Sequence, residues 1–564
     1  MFKPGERIAL AALDRPARPA EWLAVVSGLH DQAGFWWLDS ALADGRLGRF
    51  SFAGADPYLW LRARGRRVEI DVLRPVRPGL DAGVHVIDAD PFDSARSLLP
   101  RADSLVYSTR TAIGAGNRCW HEVDGLSAGL ELPFVGGAVG YFGYELAALT
   151  LPRVSCANPD ELGLPDLVLA YVDRILAYDH ATEQLWLVAL GFGAAGTSTG
   201  MTARDAAMRA SRGAADRWAD RVEALLEAGV RARCAAADRT PKAAAGGGRA
   251  DPSADAVFRE SDAPTLASTV DASGYAKAVD AILEEIAAGY VYQANFSQRL
   301  AMAVDADPWT LYAALRRRNP APFGAFLALP PSSAPPGCET GPFGGARSAI
   351  LSSSPERFLR MDAARRVESR PIKGTRPRGD DAVADVRLAR ELAASEKDRA
   401  ENLMIVDLVR NDLGRVCTPG TIAVPELMRI EAYASVFQLV STVTGELATG
   451  RDGLDLVRAN FPPGSMTGAP KLAAVELLEA LESVRRGVYA GALGYLDLRG
   501  GLDLSVVIRT LVWQEGRVHL HVGGGIVADS SAQAEYLESL DKARAPLSAI
   551  AEVSPESASG ASRR

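Results

Sequence analysis

The chain has 564 residues, of which 48% are hydrophobic and 23% are charged, so it can form a large core. Its 62 basic and 70 acidic residues give a net charge of −8, which argues against general attraction to nucleic acid or an anionic membrane. No run approaches the roughly 18 apolar residues that a membrane span needs. The 5 cysteines include no C-x-x-C pair, so we expect neither a disulfide framework nor structural zinc, and a reducing, cytoplasmic location.

A segment of low complexity divides the predicted elements in chain order. Residues 1–190 carry three β-rich pieces, at Arg67–Leu73, Phe134–Tyr144 and Leu167–Tyr178. Residues 191–265 are rich in Ala, Gly, Arg, Asp and Ser, and we expect a mobile linker there, with a helix around Arg217–Glu227. Residues 266–550 form a second region, and residues 551–564 are expected to be disordered.

The second region alternates helical and strand patterns. Apolar spacing predicts helices at Asp271–Ala288, Asp385–Val409, Leu472–Leu481 and Ser530–Ala545. Strands are predicted at Tyr290–Leu300, Ala349–Arg360, Ala364–Ile372, Gly487–Leu498, Asp503–Gln514 and Arg517–Val522. Ser530 and Gln533 have the spacing of a capping box at the start of the last helix.

Two of the predicted helices carry acidic pairs three residues apart. The pairs are Asp398 with Glu401 and Glu535 with Glu538. This spacing places both carboxylates of a pair on one helix face, where they repel each other unless a cation lies between them. Two converging pairs would suit a magnesium ion, which prefers oxygen ligands. Two solvated helix faces are the alternative interpretation.

Lys373 lies in a segment, residues 370–379, that Pro371 and Gly374 punctuate, which places this lysine at a strand end. A lysine is a nucleophile only in its neutral form, which burial or nearby cations favour. The candidate cations in this segment are Arg370, Arg376 and Arg378. An exposed basic turn is the alternative.

Glu356 follows Pro355 and opens a predicted strand, so it is a candidate general acid, although a surface position is an alternative. Residues 464–471 form a glycine-rich turn before a helix, and its backbone N–H groups are suited to bind a carboxylate. The glycines at 523–525 precede the last helix in the same way. The turn does not have the G-x-x-x-x-G-K-[ST] spacing of a nucleotide-binding P-loop.

Together these segments resemble the chorismate-utilising enzymes, the family of the large subunits of anthranilate synthase and aminodeoxychorismate synthase. The resemblance covers residues 270–548 and is looser in the first region. The matching motifs are Tyr292–Asn295, Ser354–Phe358, Arg370–Gly379, Asp398–Leu408, Arg410–Gly414, Gly464–Lys471, Gly491–Tyr495, Ile508–Thr510 and Gly523–Ser530.

The resemblance implies an α/β fold of the anthranilate synthase component I type, with two large antiparallel sheets packed as a sandwich and helices outside. It assigns Mg²⁺ to Glu401 and Glu538 as direct ligands, with Asp398 and Glu535 as supporting residues. The ion would bind the ring carboxylate of chorismate. Glu356 matches the general acid that protonates the departing C4 hydroxyl.

The resemblance also assigns substrate contacts. Tyr489 and Arg509 match residues that hold the enolpyruvyl carboxylate, and a bidentate arginine suits that group. Backbone contacts to carboxylate match Gly525 and the turn that includes Ser465, Thr467 and Gly468.

Two glutamines mark departures within the family. Gln293 stands where relatives that form isochorismate or salicylate have a lysine base, so water addition is disfavoured. Gln438 stands where many members have a histidine linked to proton handling. Glutamine can form hydrogen bonds but cannot act as a general acid, which weakens the case for pyruvate elimination.

Lys373 then indicates amination at C4. Anthranilate-forming relatives typically have alanine at this position, whereas the lysine of Pro-Ile-Lys-Gly-Thr marks the members that form 4-amino-4-deoxychorismate for 4-aminobenzoate and folate synthesis. There the lysine is thought to attack C2 as hydroxide leaves C4, and ammonia then adds at C4.

The resemblance implies a separate glutamine amidotransferase subunit as the source of ammonia, because no cysteine lies in a Gly-x-Cys-x-Gly turn. A short match around Ser40 points to bound tryptophan. Two alternatives to C4 amination stay open. In the first, the chain is an anthranilate synthase component I or another aminating chorismate enzyme. In the second, it is a non-catalytic regulatory subunit that binds chorismate or tryptophan.

Overall fold

The computed structural model describes residues 7–12, 16–42, 47–76, 80–99, 106–110, 121–123, 132–191, 203–237, 266–329, 347–433 and 436–554. The strands are β1 (Arg7–Ala12), β2 (Trp36–Asp39), β3 (Phe50–Gly54), β4 (Leu59–Arg64), β5 (Arg67–Val72), β6 (Gly83–Asp88), β7 (Val106–Arg110), β8 (His121–Val123), β9 (Gly137–Phe142), β10 (Leu167–Val172), β11 (Arg174–Asp179), β12 (Gln184–Gly191), β13 (Ala267–Ser268), β14 (Gln293–Ala303), β15 (Phe323–Leu329), β16 (Ser348–Ser354), β17 (Arg357–Met361), β18 (Arg366–Ser369), β19 (Ile372–Pro377), β20 (Ala423–Ala432), β21 (Val436–Glu446), β22 (Gly468–Ala469), β23 (Ala492–Asp497), β24 (Leu502–Val506), β25 (Thr510–Gln514) and β26 (Arg517–Ile526).

The helices of the same residues are α1 (Pro19–Ser27), α2 (Pro91–Leu98), α3 (Ala147–Thr150), α4 (Ala203–Ala237), α5 (Ala272–Ala287), α6 (Pro308–Arg318), α7 (Ala382–Ala394), α8 (Glu396–Gly414), α9 (Gly453–Asn460), α10 (Lys471–Leu481) and α11 (Ala532–Val553). None of the helices that the structure describes is both long enough and apolar enough to cross a membrane.

The strands form two sheets. The larger sheet has 14 strands in the order β13-β14-β26-β25-β16-β15-β2-β3-β11-β12-β1-β7-β8, with β22 paired to β14. The smaller sheet has 12 strands in the order β19-β21-β18-β17-β24-β23-β9-β10-β4-β5-β6, with β20 paired to β21. Among the described strands β1 and β7 pair in parallel, and the other pairs are antiparallel. The predicted architecture of two large antiparallel sheets is therefore confirmed.

Each sheet takes strands from both ends of the chain. In the larger sheet β2 pairs with β15, and in the smaller sheet β9 pairs with β23. Aromatic rings from both sheets fill the space between them: Phe52 of the larger sheet packs edge-on against Tyr495 of the smaller one, with centroids 5.7 Å apart. Helices cover the outer faces, with α2, α8 and α9 on the smaller sheet and α1, α4, α6 and α11 on the larger one.

Three predicted strands are each two strands that belong to different sheets. The predicted strand Leu167–Tyr178 is β10 and β11, Ala349–Arg360 is β16 and β17, and Asp503–Gln514 is β24 and β25. The strands on both sides of each crossing are largely buried, so the apolar pattern continues through the bend and does not reveal it. The second and third crossings carry Glu356 and Arg509.

The predicted helix Asp385–Val409 is two helices. Ser395 separates α7 from α8, and its side chain accepts a hydrogen bond from the backbone N–H of Asp398. Ser395 is therefore the N-cap of the helix that carries the first acidic pair. The N-cap of α11 is Ser531, which accepts from the N–H of Ala534, so the predicted capping box from Ser530 to Gln533 is wrong.

The low-complexity segment contains more regular structure than its composition predicts. Helix α4 spans 35 residues, and it packs against β1, β12 and α1. Trp218, Val222 and Leu226 of this helix are buried in the core of the larger sheet's outer face. Residues 192–202 and 238–265 of the predicted linker, and residues 555–564 of the predicted disordered tail, lie outside the described residues. The division into regions stays a prediction.

Candidate active site

A cavity of about 580 Å³ lies where the ends of β14, β16, β19 and β26 meet α8 and α11. Ten of the predicted site residues line it: Glu356, Lys373, Asp398, Glu401, Gln438, Ser465, Tyr489, Arg509, Gly525 and Glu538. Gln293, Thr467, Gly468 and Glu535 are not among its lining residues and lie behind them. Residues that are more than 100 positions apart in the chain are thus brought together by the crossings and the pairing of β14 with β26.

Glu356 is buried at the crossing between β16 and β17. Burial raises the pKa of its carboxyl to about 7, although Ser465 and Lys373 act in the opposite direction. Near neutral pH the carboxyl is therefore available in its protonated form, which is what a general acid requires.

Lys373 reaches the cavity from β19, and its side chain is only 13% exposed. Its Nζ lies 3.8 Å from Oε2 of Glu401. The three neighbouring arginines do not act as free cations beside it, because each forms an ion pair with a carboxylate. Arg370 pairs with Glu431, Arg376 with Asp398 and Arg378 with Asp385. The sequence-based idea that these arginines favour the neutral lysine is therefore not supported by the contacts.

Gly525 lies next to the amine of Lys373 and the side-chain amide of Gln293. A Cβ atom built at this position would lie 2.5 Å from Nε2 of Gln293 and 3.1 Å from Nζ of Lys373. Only glycine leaves room for both groups. Gln293 is fully buried, and neither amide atom has a hydrogen-bond partner among the described residues. Such an amide in a native fold indicates a missing ligand or water.

Arg509 carries positive charge into the cavity without a carboxylate partner within ion-pair distance in the described part of the chain. Burial lowers the pKa of its guanidinium, and Tyr489 acts in the opposite direction. Its backbone φ is +51°, a strained value for a residue with a side chain, and such strain often occurs at functional sites. A half-buried guanidinium with no carboxylate partner among the described residues is suited to a carboxylate of a ligand.

Tyr489 stands beside Arg509 and has a second neighbour that sequence reasoning missed. Burial raises the pKa of Tyr489 to about 12, so its hydroxyl stays protonated and can donate. The ring of His521 stacks on it at 5.1 Å with an interplanar angle of 10°. His521 lies in β26 and pairs across the ladder with Arg299 of β14, the strand that carries Gln293.

The glycine-rich turn lies on the opposite wall. The side chain of Ser465 forms a hydrogen bond with Glu356, and the carbonyl of Thr467 accepts from the N–H of Asn295. A Cβ atom at Gly468 would lie 2.1 Å from the carbonyl oxygen of Gln293, so glycine is needed where β22 meets β14. Nδ2 of Asn295, which lines the cavity, has no hydrogen-bond partner within the described residues.

The two acidic pairs face each other across α8 and α11, and lysines lie among them. Burial raises the pKa of Glu401, and both Asp398 and Glu538 add to that increase. Burial also acts to raise the pKa of Glu538, but lysines led by Lys542 outweigh it, and the pKa lies below its usual value. Nζ of Lys542 lies 2.8 Å from Oε1 of Glu538. Glu535 accepts a hydrogen bond from the Ser530 hydroxyl at 2.6 Å.

The carboxylates of this site are chemically suited to Mg²⁺, but they provide two ligands and not a complete coordination shell. The described residues contain no group of three or more His, Cys, Asp or Glu side chains placed to hold a metal. Glu401 and Glu538 both line the cavity, while Asp398 and Glu535 accept hydrogen bonds from Arg376 and Ser530, which suits supporting residues. Magnesium commonly binds one or two carboxylates and completes its shell with water and substrate oxygens.

Gln438 lies in β21, is buried, and lines the cavity, so the position that departs from the family pattern belongs to the site.

Ser40 lies elsewhere, in a separate cavity of about 650 Å³ lined by residues of β2, β3, β17 and β23. Its hydroxyl donates to the carbonyl of Phe50 at 2.8 Å. The tryptophan assigned to Ser40 stays a prediction.

Comparison with known proteins agrees with this geometry. Residues 101–548 match the model of the family described as chorismate binding enzyme. The chain belongs to this family of chorismate binding enzymes. The expected recognition of a chorismate-utilising enzyme is thereby confirmed.

Some similar proteins are named aminodeoxychorismate synthase, and others are named anthranilate synthase component 1. The chain is 39% identical over 519 residues to an aminodeoxychorismate synthase of Streptomyces griseus, covering 91% of this chain but only 60% of that protein. It is 34% identical to aminodeoxychorismate synthase component 1 of Salmonella typhimurium, covering 88% of each chain. It is also 35% identical to anthranilate synthase component 1 of Streptomyces coelicolor, covering 95% of this chain and 87% of that one.

Among solved structures, anthranilate synthase component I from Streptococcus pneumoniae superposes with a TM-score of 0.61 at 25% identity, covering 88% of this chain and 92% of that one. The menaquinone-specific isochorismate synthase of Escherichia coli, at 16% identity and a TM-score of 0.59, shares the fold. The family match and the sequence relatives support an enzyme of the aminodeoxychorismate and anthranilate synthase type.

Proposed function

We propose that this enzyme aminates chorismate at C4 to form 4-amino-4-deoxychorismate, in the cytoplasm, for 4-aminobenzoate and folate synthesis. The observation that carries the proposal is the amine of Lys373 at the cavity wall, packed against Gly525 beside the amide of Gln293. A lysine at this point offers a nucleophile to the ring, and the buried acid Glu356 is in the same cavity.

The neighbouring glutamines support amination over other reactions of the family. Gln293 cannot accept a proton from water, so it does not provide the base that water addition at C2 needs. Gln438 cannot donate a proton as a general acid, which disfavours elimination of pyruvate and formation of an aromatic ring. Gln438 lines the cavity and can position the substrate through hydrogen bonds, whereas the buried Gln293 lies behind the lining residues, next to Gly525.

The reaction proceeds in two displacements. The neutral amine of Lys373 attacks C2, both ring double bonds shift by one position, and the C4–O bond breaks as Glu356 protonates the departing hydroxyl to give water. Ammonia then forms a bond to C4, both double bonds shift back, and the C2–N bond to Lys373 breaks. The extra proton on the new amine returns to Lys373 or Glu356, so the sum is chorismate plus ammonia giving aminodeoxychorismate plus water.

The remaining groups bind and orient the substrate. Arg509 and the hydroxyl of Tyr489 would hold the enolpyruvyl carboxylate, and the N–H groups of Gly525 and of the turn at Ser465–Gly468 would contact carboxylate oxygens. Glu401 and Glu538 would hold Mg²⁺, with Asp398 and Glu535 in support. When bound, this ion neutralises and orients the ring carboxylate.

A separate glutaminase subunit would supply the ammonia. Relatives named component 1 are subunits by name, and the described part of this chain offers only Cys156 and Cys417, both buried, as free thiols. Burial raises the pKa of Cys156 to about 12 and of Cys417 to about 11, which is the opposite of an activated nucleophile.

The covalent step can be tested directly by mass spectrometry. The protein is mixed with chorismate and Mg²⁺ without ammonia, and its intact mass is measured. The proposal predicts an adduct on Lys373 equal to chorismate less one water, and its absence from Lys373→Ala. Lys277→Ala, on the exposed face of α5, is the matched control that keeps the adduct. Steady C2 amination by Lys373→Ala would instead show an anthranilate-forming enzyme.

A further inference from the structure

Lys397 is a cation among the acidic pairs that the proposed reaction does not use. It lies on α8, one turn before Glu401, and its Nζ is 4.0 Å from Oε1 of that residue. The same Nζ is 3.4 Å from Oε1 of Glu535 on α11. A single ammonium therefore joins the two helices that carry the acidic pairs.

The position of this ammonium matters because a divalent ion would bind Glu401 directly and would have Glu535 in support. Magnesium binds carboxylate oxygens at about 2.1 Å, and a second cation on those oxygens repels it. Lys373 and Lys542 are held by additional contacts, since Lys373 packs against Gly525 and Lys542 donates to the carbonyl of Gly523 at 2.8 Å.

Lys397 differs from these two lysines in its freedom to move. Its side chain is 44% exposed, compared with 13% for Lys373. It has no hydrogen bond to a backbone carbonyl among those recorded for the described residues, where its one hydrogen bond is to Glu535. Rotation of its side chain would place the ammonium in water without breaking any other contact.

We propose that Lys397 is an exchangeable counter-ion for the acidic pairs: its ammonium neutralises Glu401 and Glu535 in the metal-free protein and moves to solvent when Mg²⁺ binds. This inference rests on the proposed function, which assigns Mg²⁺ to these carboxylates. The lysine keeps the two acidic helix faces together before the ion arrives, and it lowers the affinity for the ion by competing with it.

The test is calorimetric titration of the full chain with Mg²⁺ alone. Lys397→Gln removes the competing charge, so we expect its Mg²⁺ dissociation constant to fall about two- to fivefold, the scale of a half-exposed ion pair. Lys397→Arg keeps the charge and should bind Mg²⁺ as the natural protein does. Lys277→Gln, at an exposed lysine of α5, controls for the loss of one positive charge.

Thermal unfolding provides a second readout. Without metal, Lys397→Gln leaves like charges facing each other and should unfold at a lower temperature than the natural protein. Saturating Mg²⁺ should remove that difference.

Equal Mg²⁺ affinity in the natural protein and Lys397→Gln, or weaker binding by Lys397→Gln, would overturn the exchange while leaving the metal site intact. Mg²⁺ binding that survives Glu401→Gln with Glu538→Gln would instead overturn the proposed metal site.

Discussion

Burial of a single carboxyl, that of Glu356, connects catalysis to pH. The acid must be protonated to give its proton to the leaving hydroxyl, and its pKa is about 7. Both the natural enzyme and Glu356→Gln need a neutral Lys373, so the ratio of their rates at the same pH and free ammonia concentration isolates Glu356. This ratio should fall as pH rises above about 7, and Glu356→Gln should lower the maximal rate by about 10²- to 10⁴-fold. A ratio that is flat from pH 6 to 9 would contradict the assigned role.

The same burial predicts a change in stability with pH. The pKa of Glu356 is raised from 4.5 in the unfolded chain to about 7 in the folded protein, so folding favours the protonated form. Its stabilising contribution is complete below about pH 4.5 and is lost as pH rises through 7. Glu356→Gln does not titrate, so its free energy of unfolding relative to the natural protein should rise by about 3 kcal/mol between pH 5 and 8. Urea unfolding at both pH values measures this, and a constant difference would show that the carboxyl is not buried.

At the residue scale, the motifs identify side chains that lie together in the structure, but they do not reveal the contacts of those side chains. Glu356, Lys373 and Arg509 all line one cavity, as the motifs indicate. The ion pairs of the three arginines near Lys373 depend on carboxylates from other elements, so the local sequence could not reveal them. The stacking of His521 on Tyr489 could not be predicted for the same reason, because the two residues are far apart in the sequence.

At the scale of the element, the start of helix α8 positions the first acidic pair. Ser395 caps this helix, and Asp398 and Glu401 lie in its first two turns. Ser395→Ala should lower the free energy of unfolding by about 1 kcal/mol, whereas Ser395→Thr, which keeps a hydroxyl, should lose little. Chemical denaturation measures both variants. If Ser395→Ala were as stable as the natural protein, the cap would not hold the break between α7 and α8.

The sequence pattern identified most elements but not where strands change sheets. Periodicity correctly placed α5 and α10, because one face of each helix is buried and the other is not. It found the start of β26 but ended this strand at Val522 instead of Ile526, because the second half of the strand is largely buried on both faces. It joined β16 to β17 because the strands on either side of Glu356 are largely buried. It also shortened α4, since the apolar residues that bury this helix, such as Trp218 and Val222, are sparse in an Ala-rich and Arg-rich background.

At the scale of the whole molecule, the two ends of the chain complete each other's sheets. Strands β2 and β3 lie between β15 and β11, and β9 lies between β23 and β10. A fragment of residues 266–554 would expose the edges of β15 and β23 together with the core packed on them. We expect this fragment to show no cooperative thermal unfolding in calorimetry. A sharp transition with bound chorismate would show that the active site folds without the first half.

The carbon that receives nitrogen distinguishes C4 amination from the C2 amination that gives anthranilate. The most direct measurement incubates the purified full chain with chorismate, Mg²⁺ and an ammonium salt at alkaline pH, where free ammonia replaces the glutaminase. Products are separated by chromatography and identified by mass. The account predicts 4-amino-4-deoxychorismate, which retains the enolpyruvyl group. Anthranilate with released pyruvate would contradict it and show that Lys373 does not direct amination to C4, and the absence of any product would favour a regulatory role.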